Sequence, residues 1–457
     1  MAIATTNPAT GETLRTFDPL SAAELDDRLA RSADAFERHR RTTFDERAAI
    51  LRAAAAILDD EVEAIAALMV TEMGKPITAA RAEVKKCATG MRYSADNGAA
   101  FLAPEPFAAE VGGGRATVRY DPIGPVLAVM PWNFPLWQVT RFLAPAVMAG
   151  NVGLLKHASN VPQTALLIED VMRRAGAGDV FQTLLIESKT VERVLRDPRV
   201  RAATLTGSTP AGASVAAICG DEIKKTVLEL GGSDAFVVLP SADLDAAVKV
   251  AVVARCQNNG QSCIAAKRFI VHADVHDEFA AKFVTAMEAQ VLGDPMDDAT
   301  VIGPLATEQG RADVEELLAD AVANGATVLT GGTRIDRPGW FFPPTVVTGL
   351  TDAARMHREE VFGPVASLYR VVDADEALAL ANDSDFGLGA NVWTTDAAEQ
   401  DRFARDFEAG MVFVNGMVMS YPELPFGGVK TSGYGRELAA EGAREFTNIK
   451  TVWVKSQ

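Results

Sequence analysis

The sequence predicts an α/β protein with two domains that each contain a largely parallel sheet. Short apolar segments alternate with helix-like stretches between residues 152 and 238, which is typical of βα units and makes a dinucleotide-binding fold plausible. A second alternating series begins near residue 251 and indicates another α/β domain with its own sheet. The length of 457 residues supports this division, because such a chain is too long for one compact core.

The spacing of apolar residues predicts the individual elements. Between residues 22 and 73 the spacing is helical, which predicts consecutive N-terminal helices. Residues 115–129 first alternate and then become continuously apolar, as expected for a half-exposed strand leading into a buried one. Beyond them we predict strands at 152–155, 202–205, 235–238, 267–273, 365–372 and 447–455, and helices at 162–174 and 277–291.

Composition excludes several classes of protein. The chain carries 61 acidic and 44 basic residues and a net charge of −17, whereas a protein that tracks a nucleic-acid backbone is normally basic. No apolar run approaches the roughly 18 residues of a membrane span, and the first residues lack the pattern of a secretory signal. We therefore expect a soluble cytoplasmic protein that binds neither nucleic acid nor membrane.

Four cysteines occur, without the paired spacing of a zinc site or a disulfide framework, so we expect no metal. Cys263 stands out because it ends the motif GQSC, where a glycine-containing polar turn lets a sulfur project into a cleft. A buried core cysteine is the alternative interpretation. Cys256, seven residues earlier on a predicted helix, fits the core better.

Two further residues are candidates for chemistry at strand ends. Glu229 ends the apolar run TVLEL before two glycines, and a glutamate there that faces a cleft can act as a general base. Asn133 lies in the proline-stiffened turn PWNFP, where a rigid amide suits an oxyanion. A surface glutamate and a hydrogen-bonded turn asparagine are the alternatives.

Two turns have the character of a nucleotide site. Lys156 and Ser159 follow the predicted strand NVGLL, where an ammonium and a hydroxyl can bind ribose and phosphate. Gly207 and Ser208 precede a helix-like stretch, whose free N–H groups attract a pyrophosphate. Because neither turn matches the Rossmann glycine motif or a Walker loop, the phosphate must be bound differently.

The whole chain resembles the aldehyde dehydrogenase superfamily. The resemblance implies a Rossmann-like cofactor domain at 1–114 and 123–230, an α/β catalytic domain at 231–428, and a small β bridging element at 115–122 and 446–457. It also implies a homodimer or homotetramer, because an apolar terminal strand needs a neighbouring subunit to cover it. The motifs that carry the resemblance are PWNFP, LLKHAS, LTGS, LELGG, GQSC, EEVFGPV and LPFGGVKTSGYGRE.

The resemblance also implies roles for individual residues. Cys263 is the nucleophile, Glu229 the base, and Asn133 forms the oxyanion hole with the backbone N–H of Cys263. An NAD(P) cofactor is implied as well. The residues expected to contact it are Trp132, Lys156, Gly207, Ser208, Leu230, Glu360 and Phe362.

The choice of nucleotide depends on the residue three positions after Lys156. Family members that prefer NAD commonly carry glutamate there, whereas this chain has Ser159. A neutral hydroxyl leaves room for a 2′-phosphate and donates to it, so we predict NADP, with NAD bound more weakly. His157 is a second candidate donor, and a histidine packed in the turn is its alternative.

Among members of the superfamily, the chain most resembles bacterial NADP-dependent succinate-semialdehyde dehydrogenases. This implies oxidation of succinate semialdehyde to succinate through a cysteine hemithioacetal and a thioester. Arg141 and Ser420 match side chains that related enzymes use for the substrate carboxylate. A second arginine of those enzymes is replaced by Gln257, which donates a hydrogen bond but carries no charge.

Other functions stay open at this point. The first alternative function is the oxidation of glutarate semialdehyde, or of a broad range of aliphatic aldehydes, with NAD(P). A cofactor-free cysteine esterase and a non-catalytic protein on the same fold are two alternatives that agree less well with the motifs. The esterase would leave the nucleotide motifs idle, and a silent relative would be expected to lose the nucleophile, the base or the oxyanion amide.

Overall fold

The fold is described for residues 2–456 of a computed structural model, which form fourteen α-helices and twenty β-strands. The helices are α1 (Ala22–His39), α2 (Phe44–Asp60), α3 (Val62–Met73), α4 (Ile77–Phe101), α5 (Trp137–Ala149), α6 (Pro162–Arg174), α7 (Val191–Arg196), α8 (Thr209–Asp221), α9 (Leu244–Cys256), α10 (Ala273–Glu288), α11 (Glu308–Ala323), α12 (Ala374–Asn382), α13 (Ala397–Asp406) and α14 (Ala439–Glu445). The strands are β1 (Ile3–Thr6), β2 (Thr13–Phe17), β3 (Glu105–Pro106), β4 (Gly114–Pro122), β5 (Pro125–Met130), β6 (Val152–His157), β7 (Phe181–Thr183), β8 (Ala202–Thr206), β9 (Lys225–Glu229), β10 (Asp234–Val238), β11 (Ala266–His272), β12 (Thr327–Thr330), β13 (Thr345–Thr348), β14 (Val365–Val371), β15 (Phe386–Gly387), β16 (Gly389–Trp393), β17 (Met411–Val414), β18 (Val429–Lys430), β19 (Gly433–Tyr434) and β20 (Thr447–Lys455).

One sheet has six strands in the order β19-β9-β8-β5-β6-β7. All neighbours in it are parallel except the short β19, which pairs antiparallel with β9. The carboxyl ends of parallel strands meet at one edge of a sheet. Asn133, Lys156, Ser208 and Glu229, at or just after the ends of four of these strands, are therefore brought to the same edge.

A second sheet has seven strands in the order β12-β13-β14-β11-β10-β16-β17 and is parallel apart from β12. Cys263 lies three residues before β11, and Glu360 lies five before β14. The segment between β9 and β10 connects the two sheets. There a Cβ on Gly232 would lie 2.6 Å from the carbonyl oxygen of Cys263, so only glycine lets the nucleophile turn approach this closely.

A three-stranded antiparallel sheet, β20-β4-β3, joins two distant parts of the chain. Its register runs from Thr447 opposite Pro122 to Lys455 opposite Gly114. The two segments expected to form the bridging element thus pair with each other. The limits of the domains stay a prediction.

The predicted elements lie close to their predicted positions, and several further elements were not predicted. The half-exposed strand and the buried strand predicted within 115–129 are β4 and β5, and the chain breaks between them at Gly124, whose φ of 139° lies outside the range of a regular strand. α10 begins four residues earlier than predicted, where His272 caps it by accepting from Asp274 N–H. The 25-residue α4 was not predicted at all.

α4 packs against α2 and α5 and buries Val84, Cys87 and Met91. None of the helices within residues 2–456 combines the length and the apolar character needed to cross a membrane.

Candidate active site

The turn before the nucleophile has an unusual backbone. Asn258, Asn259 and Gly260 have φ values of 54°, 59° and 75°, a left-handed run that asparagine and glycine tolerate better than other residues. A Cβ on Gly260 would overlap the backbone of Gly363. The sequence NNG therefore lets the chain reverse sharply between α9 and Cys263.

Two hydrogen bonds attach Asn133 to the turn before the nucleophile. The side-chain Nδ2 of Asn133 donates to the backbone carbonyl of Gln261 at 3.2 Å. The backbone carbonyl of Asn133 accepts a hydrogen bond from Asn258 Nδ2 at 2.8 Å. Because an amide has two N–H groups, the second remains for an oxyanion. Among residues 2–456 the backbone N–H of Cys263 has no hydrogen-bond acceptor, which leaves a second donor available.

Cys263 is partly buried, and a lysine holds its backbone. Lys267 Nζ donates to the carbonyl oxygens of Ser262 at 2.8 Å and of Cys263 at 2.6 Å, and it pairs with Glu360 Oε1 at 3.0 Å. Burial raises the pKa of the Cys263 thiol to about 12, while the positive charges of Arg141 and Lys267 act in the opposite direction. The thiol must therefore lose its proton before it can act as a nucleophile.

Glu229 is 2% exposed, and neither of its carboxyl oxygens has a hydrogen-bond partner. Burial raises its pKa well above the ordinary value, and the nearby Glu437 raises it further, against the opposing charges of Arg141 and Arg436. A carboxyl with a raised pKa is a stronger base once ionised. The charge of Arg141 reaches both Glu229 and Cys263, which places the two groups in one electrostatic environment.

Arg141 does not have the free charge expected of a substrate anchor. It is buried, its Nε forms an ion pair with Glu437 Oε2 at 2.8 Å, and its guanidinium lies 4.2 Å from the centre of the Phe426 ring. A hydrogen bond to Gln138 engages another nitrogen. Glu437, from a distant part of the sequence, therefore neutralises Arg141, and the substrate role that the family resemblance implies for Arg141 stays a prediction.

The groups predicted to bind the cofactor surround the ends of β6, β8 and β9. Lys156 is 8% exposed and forms no ion pair within residues 2–456, and burial lowers its pKa. A buried ammonium without a counter-charge suits an anionic ligand. Ser208 precedes α8 without capping it, so the first N–H groups of that helix remain available to a phosphate.

Aromatic and apolar side chains complete this region. Trp132 and Phe362 pack edge to face with ring centres 5.7 Å apart, which forms a wall as expected for a nicotinamide pocket. A Cβ on Gly212 would lie 2.6 Å from Leu230, so α8 approaches the end of β9 closely. These contacts fit a dinucleotide, and they do not distinguish NAD from NADP.

His157 is corrected as a phosphate donor. Its Nε2 lies 2.8 Å from the carbonyl oxygen of Pro135, and its Nδ1 accepts from Ala158 N–H at 3.0 Å. Burial lowers its pKa to about 4, so the ring is neutral and both nitrogens are used by the backbone. Ser159, in contrast, is half-buried, and no hydrogen bond is found for its hydroxyl within residues 2–456.

One predicted substrate residue lines a cavity of about 480 Å³, and a second is hydrogen-bonded to a residue of its wall. Gln257 lines it together with Phe134, Trp137 and Met419. Ser420 accepts a hydrogen bond from Trp137 Nε1 at 3.1 Å. The cavity also reaches Asn258, whose Nδ2 donates to the backbone carbonyl of Asn133, so the cavity adjoins the turn that carries the candidate oxyanion donor.

Sequence reasoning did not single out Lys267 or Glu437 as part of the site. Glu437 ends the segment SGYGRE, which contributes to the family resemblance without a role for its last residue. Lys267 lies four residues after the nucleophile at the start of a strand, and only the turn geometry brings its ammonium back to the Cys263 carbonyl.

Comparison with known proteins defines the class. The family model described as "Aldehyde dehydrogenase family" matches residues 1–452. The chain belongs to the aldehyde dehydrogenase family, and the family predicted from the motifs is confirmed.

Particular relatives narrow the comparison. The chain is 62% identical to a succinate-semialdehyde dehydrogenase [NADP(+)] of Mycobacterium avium, covering 100% of this chain and 97% of that one. It is 61% identical to succinate-semialdehyde dehydrogenase [NADP(+)] 1 of Mycobacterium tuberculosis, and the match covers 99% of this chain and 100% of that one. Among solved structures, a succinic semialdehyde dehydrogenase of Streptococcus pyogenes in complex with NADP+ superposes with a TM-score of 0.97 at 39% identity, covering 99% and 100%. This fold agreement confirms the predicted fold class.

Proposed function

We propose that this protein oxidises succinate semialdehyde to succinate with NADP. One observation carries the reaction type: the Cys263 thiol and the buried, unpartnered Glu229 carboxyl share one electrostatic environment at the junction of the two sheets. With the Asn133 amide beside them, these are the nucleophile, base and oxyanion donor that aldehyde oxidation through a thioester needs.

The chain's own residues act in a definite order. Cys263 Sγ loses its proton to solvent and bonds to the aldehyde carbon, and the resulting oxyanion is held by the Asn133 amide and the Cys263 N–H. When bound, NADP accepts the hydride that leaves this carbon. Glu229 then removes a proton from the water that attacks the thioester, and the C–S bond breaks to release the carboxylate and the thiol. The balance is aldehyde, water and oxidised NADP giving carboxylate, NADPH and two protons.

The assignments of the substrate and of the nucleotide are supported by different observations. The relatives at 61–62% identity are succinate-semialdehyde dehydrogenases that use NADP, which supports this substrate and this cofactor. Ser159 independently supports NADP, because a hydroxyl near the unpaired Lys156 ammonium accommodates a 2′-phosphate.

We also propose that the protein is a homodimer or homotetramer. β20 is an edge strand, and on it Ile449, Trp453 and Val454 are 65%, 47% and 52% exposed. An apolar edge of this kind is normally covered by another chain. We further propose a cytoplasmic location, because a reducing compartment keeps the four free cysteines, including Cys263, as thiols.

The test is the initial rate of NADPH and NADH formation with succinate semialdehyde, glutarate semialdehyde and butanal. The proposal predicts the highest kcat/KM for succinate semialdehyde with NADP, and no turnover by Cys263→Ala. Equal values for butanal, or higher values with NAD, would refute the substrate or the cofactor respectively. Turnover by the alanine variant would refute the mechanism.

A further inference from the structure

The cavity lined by Gln257 contains one charge that nothing in the described chain neutralises. Three charged side chains line it: Glu83, Lys86 and Asp298. Glu83 is paired with the buried Lys75, and Asp298 is paired with Arg81. No carboxylate within residues 2–456 forms an ion pair with Lys86. The cavity therefore offers a substrate one unmatched positive charge.

The surroundings of Lys86 make this charge available to an anion. Lys86 lies on α4, it is half-buried, and its Nζ is 4.4 Å from the centre of the Trp137 ring. Burial lowers its pKa to about 8, and the nearby positive charge of Arg141 acts in the same direction. An ammonium that is partly desolvated and unpaired gains more from a carboxylate than an exposed one does.

A second, independent feature points to the same ligand. Gln257 lines the cavity, and its Nε2 is a buried amide nitrogen without a hydrogen-bond partner. Buried donors are normally paired, so this one is suited to an acceptor brought by a ligand. An ammonium and an amide donor on the wall of one cavity form a minimal site for a carboxylate.

We propose that Lys86 and Gln257 bind the remote carboxylate of the substrate, with Lys86 supplying the charge and Gln257 the second donor. This assignment rests on the proposed function, in which the substrate is a semialdehyde that carries a carboxylate. It also accounts for two features of the chain. Arg141 has its charge neutralised by Glu437, and the position at which related enzymes carry a second arginine is occupied by an uncharged residue.

The test compares Lys86→Met with the wild-type protein on two substrates of equal chain length, succinate semialdehyde and butanal, with NADP. We expect KM for succinate semialdehyde to rise roughly 10- to 100-fold in Lys86→Met, the range that one charge-assisted hydrogen bond supplies. KM and kcat for butanal should stay within about twofold, because butanal has no carboxylate to lose contact with the ammonium. Lys86→Arg should restore most of the affinity for succinate semialdehyde.

The matched control is Lys85→Met, which removes the exposed neighbouring lysine and should leave both substrates unchanged. Retained butanal oxidation shows that Lys86→Met is folded. If the wild type prefers succinate semialdehyde and Lys86→Met keeps that preference, the assignment of Lys86 is overturned while the proposed function stands. If the wild type shows no preference, the proposed function is overturned. Equal losses on both substrates would overturn the carboxylate site and indicate a structural role.

Discussion

Lys267 Nζ lies 2.6 Å from the carbonyl oxygen of Cys263 and 3.0 Å from Glu360 Oε1. One ammonium thus connects the backbone of the nucleophile with the glutamate that the family resemblance places at the nicotinamide ribose. The connection gives the chain a direct route by which contacts to the cofactor can affect the position of the nucleophile.

Replacing Lys267 with Met should make the thiol less reactive. Burial already raises the pKa of Cys263 to about 12, and the Lys267 charge is one of the two that oppose this rise. Loss of that charge should raise the pKa further and slow alkylation of Cys263 by iodoacetamide at pH 8, on the order of tenfold if the pKa moves by about one unit. The measurement is the alkylation rate as a function of pH.

The control for this experiment is Lys189→Met, at an exposed lysine whose side chain is 79% accessible. It should leave the alkylation profile unchanged. An unchanged profile in Lys267→Met would show that the lysine only supports the turn.

Replacing Glu437 with Gln should shift the pH dependence of turnover to lower pH. Burial is the main cause of the raised pKa of Glu229, and the negative charge of Glu437 is the second. The neutral amide would remove that charge and free Arg141 to act on Glu229, and both changes lower the pKa of the base. Since Glu229 acts only when ionised, kcat rises with pH through this pKa, and the rise should occur at lower pH in the variant.

The readout is kcat against pH under saturating substrate, with Glu423→Gln, an exposed glutamate, as the control. A midpoint that stays in place, or moves to higher pH, would contradict the coupling between the two carboxyls.

Ser159→Glu should reverse the nucleotide preference. A carboxylate at this position would repel the 2′-phosphate, so kcat/KM with NADP should fall by about 100-fold while the value with NAD falls little or rises. Ser159→Gln has the same size without the charge and should have a much smaller effect on NADP. Equal losses in the two variants would mean that side-chain volume, not charge, decides the selection.

The affinity for succinate semialdehyde should fall at alkaline pH. The pKa of Lys86 is lowered to about 8 by burial and then by Arg141, while Glu83 and Cys87 on the same helix oppose the shift. Below this pKa the ammonium is charged and attracts the carboxylate, and above it the attraction is lost. KM for succinate semialdehyde should therefore rise between about pH 8 and pH 9.5, whereas KM for butanal should not follow. A parallel rise for both substrates would trace the effect to another group.

Much of the site could be predicted from sequence because its parts lie in short, rigid segments at strand ends. Glu229 and Asn133 end or follow strands of one parallel sheet, which brings them to the same edge without further information, and Cys263 was found from the motif GQSC before β11 of the other sheet. The family resemblance grouped the segments of β4 and β20, and the order of the strands in the two large sheets was not predicted.

The rest depends on contacts between distant segments. The pairing of Arg141 with Glu437 joins residues far apart in sequence, and no local pattern shows that the arginine is neutralised. His157 looks like a free donor until the Pro135 carbonyl is brought against it. α4 is rich in small residues and its apolar pattern is weak, so the helix that carries Lys86 was missed, and with it the charged side of the cavity.

The most direct test of the account is the intact mass of Glu229→Gln after reaction with succinate semialdehyde and NADP. Gln resembles the protonated carboxyl that burial favours, so the variant should fold and still form the thioester. We predict about one NADPH per subunit, followed by very slow turnover, and one acyl group on the peptide that contains Cys263. An acyl group on another residue, no acyl group after NADPH release, or turnover at the wild-type rate would contradict the assignment of Cys263 as nucleophile and Glu229 as base.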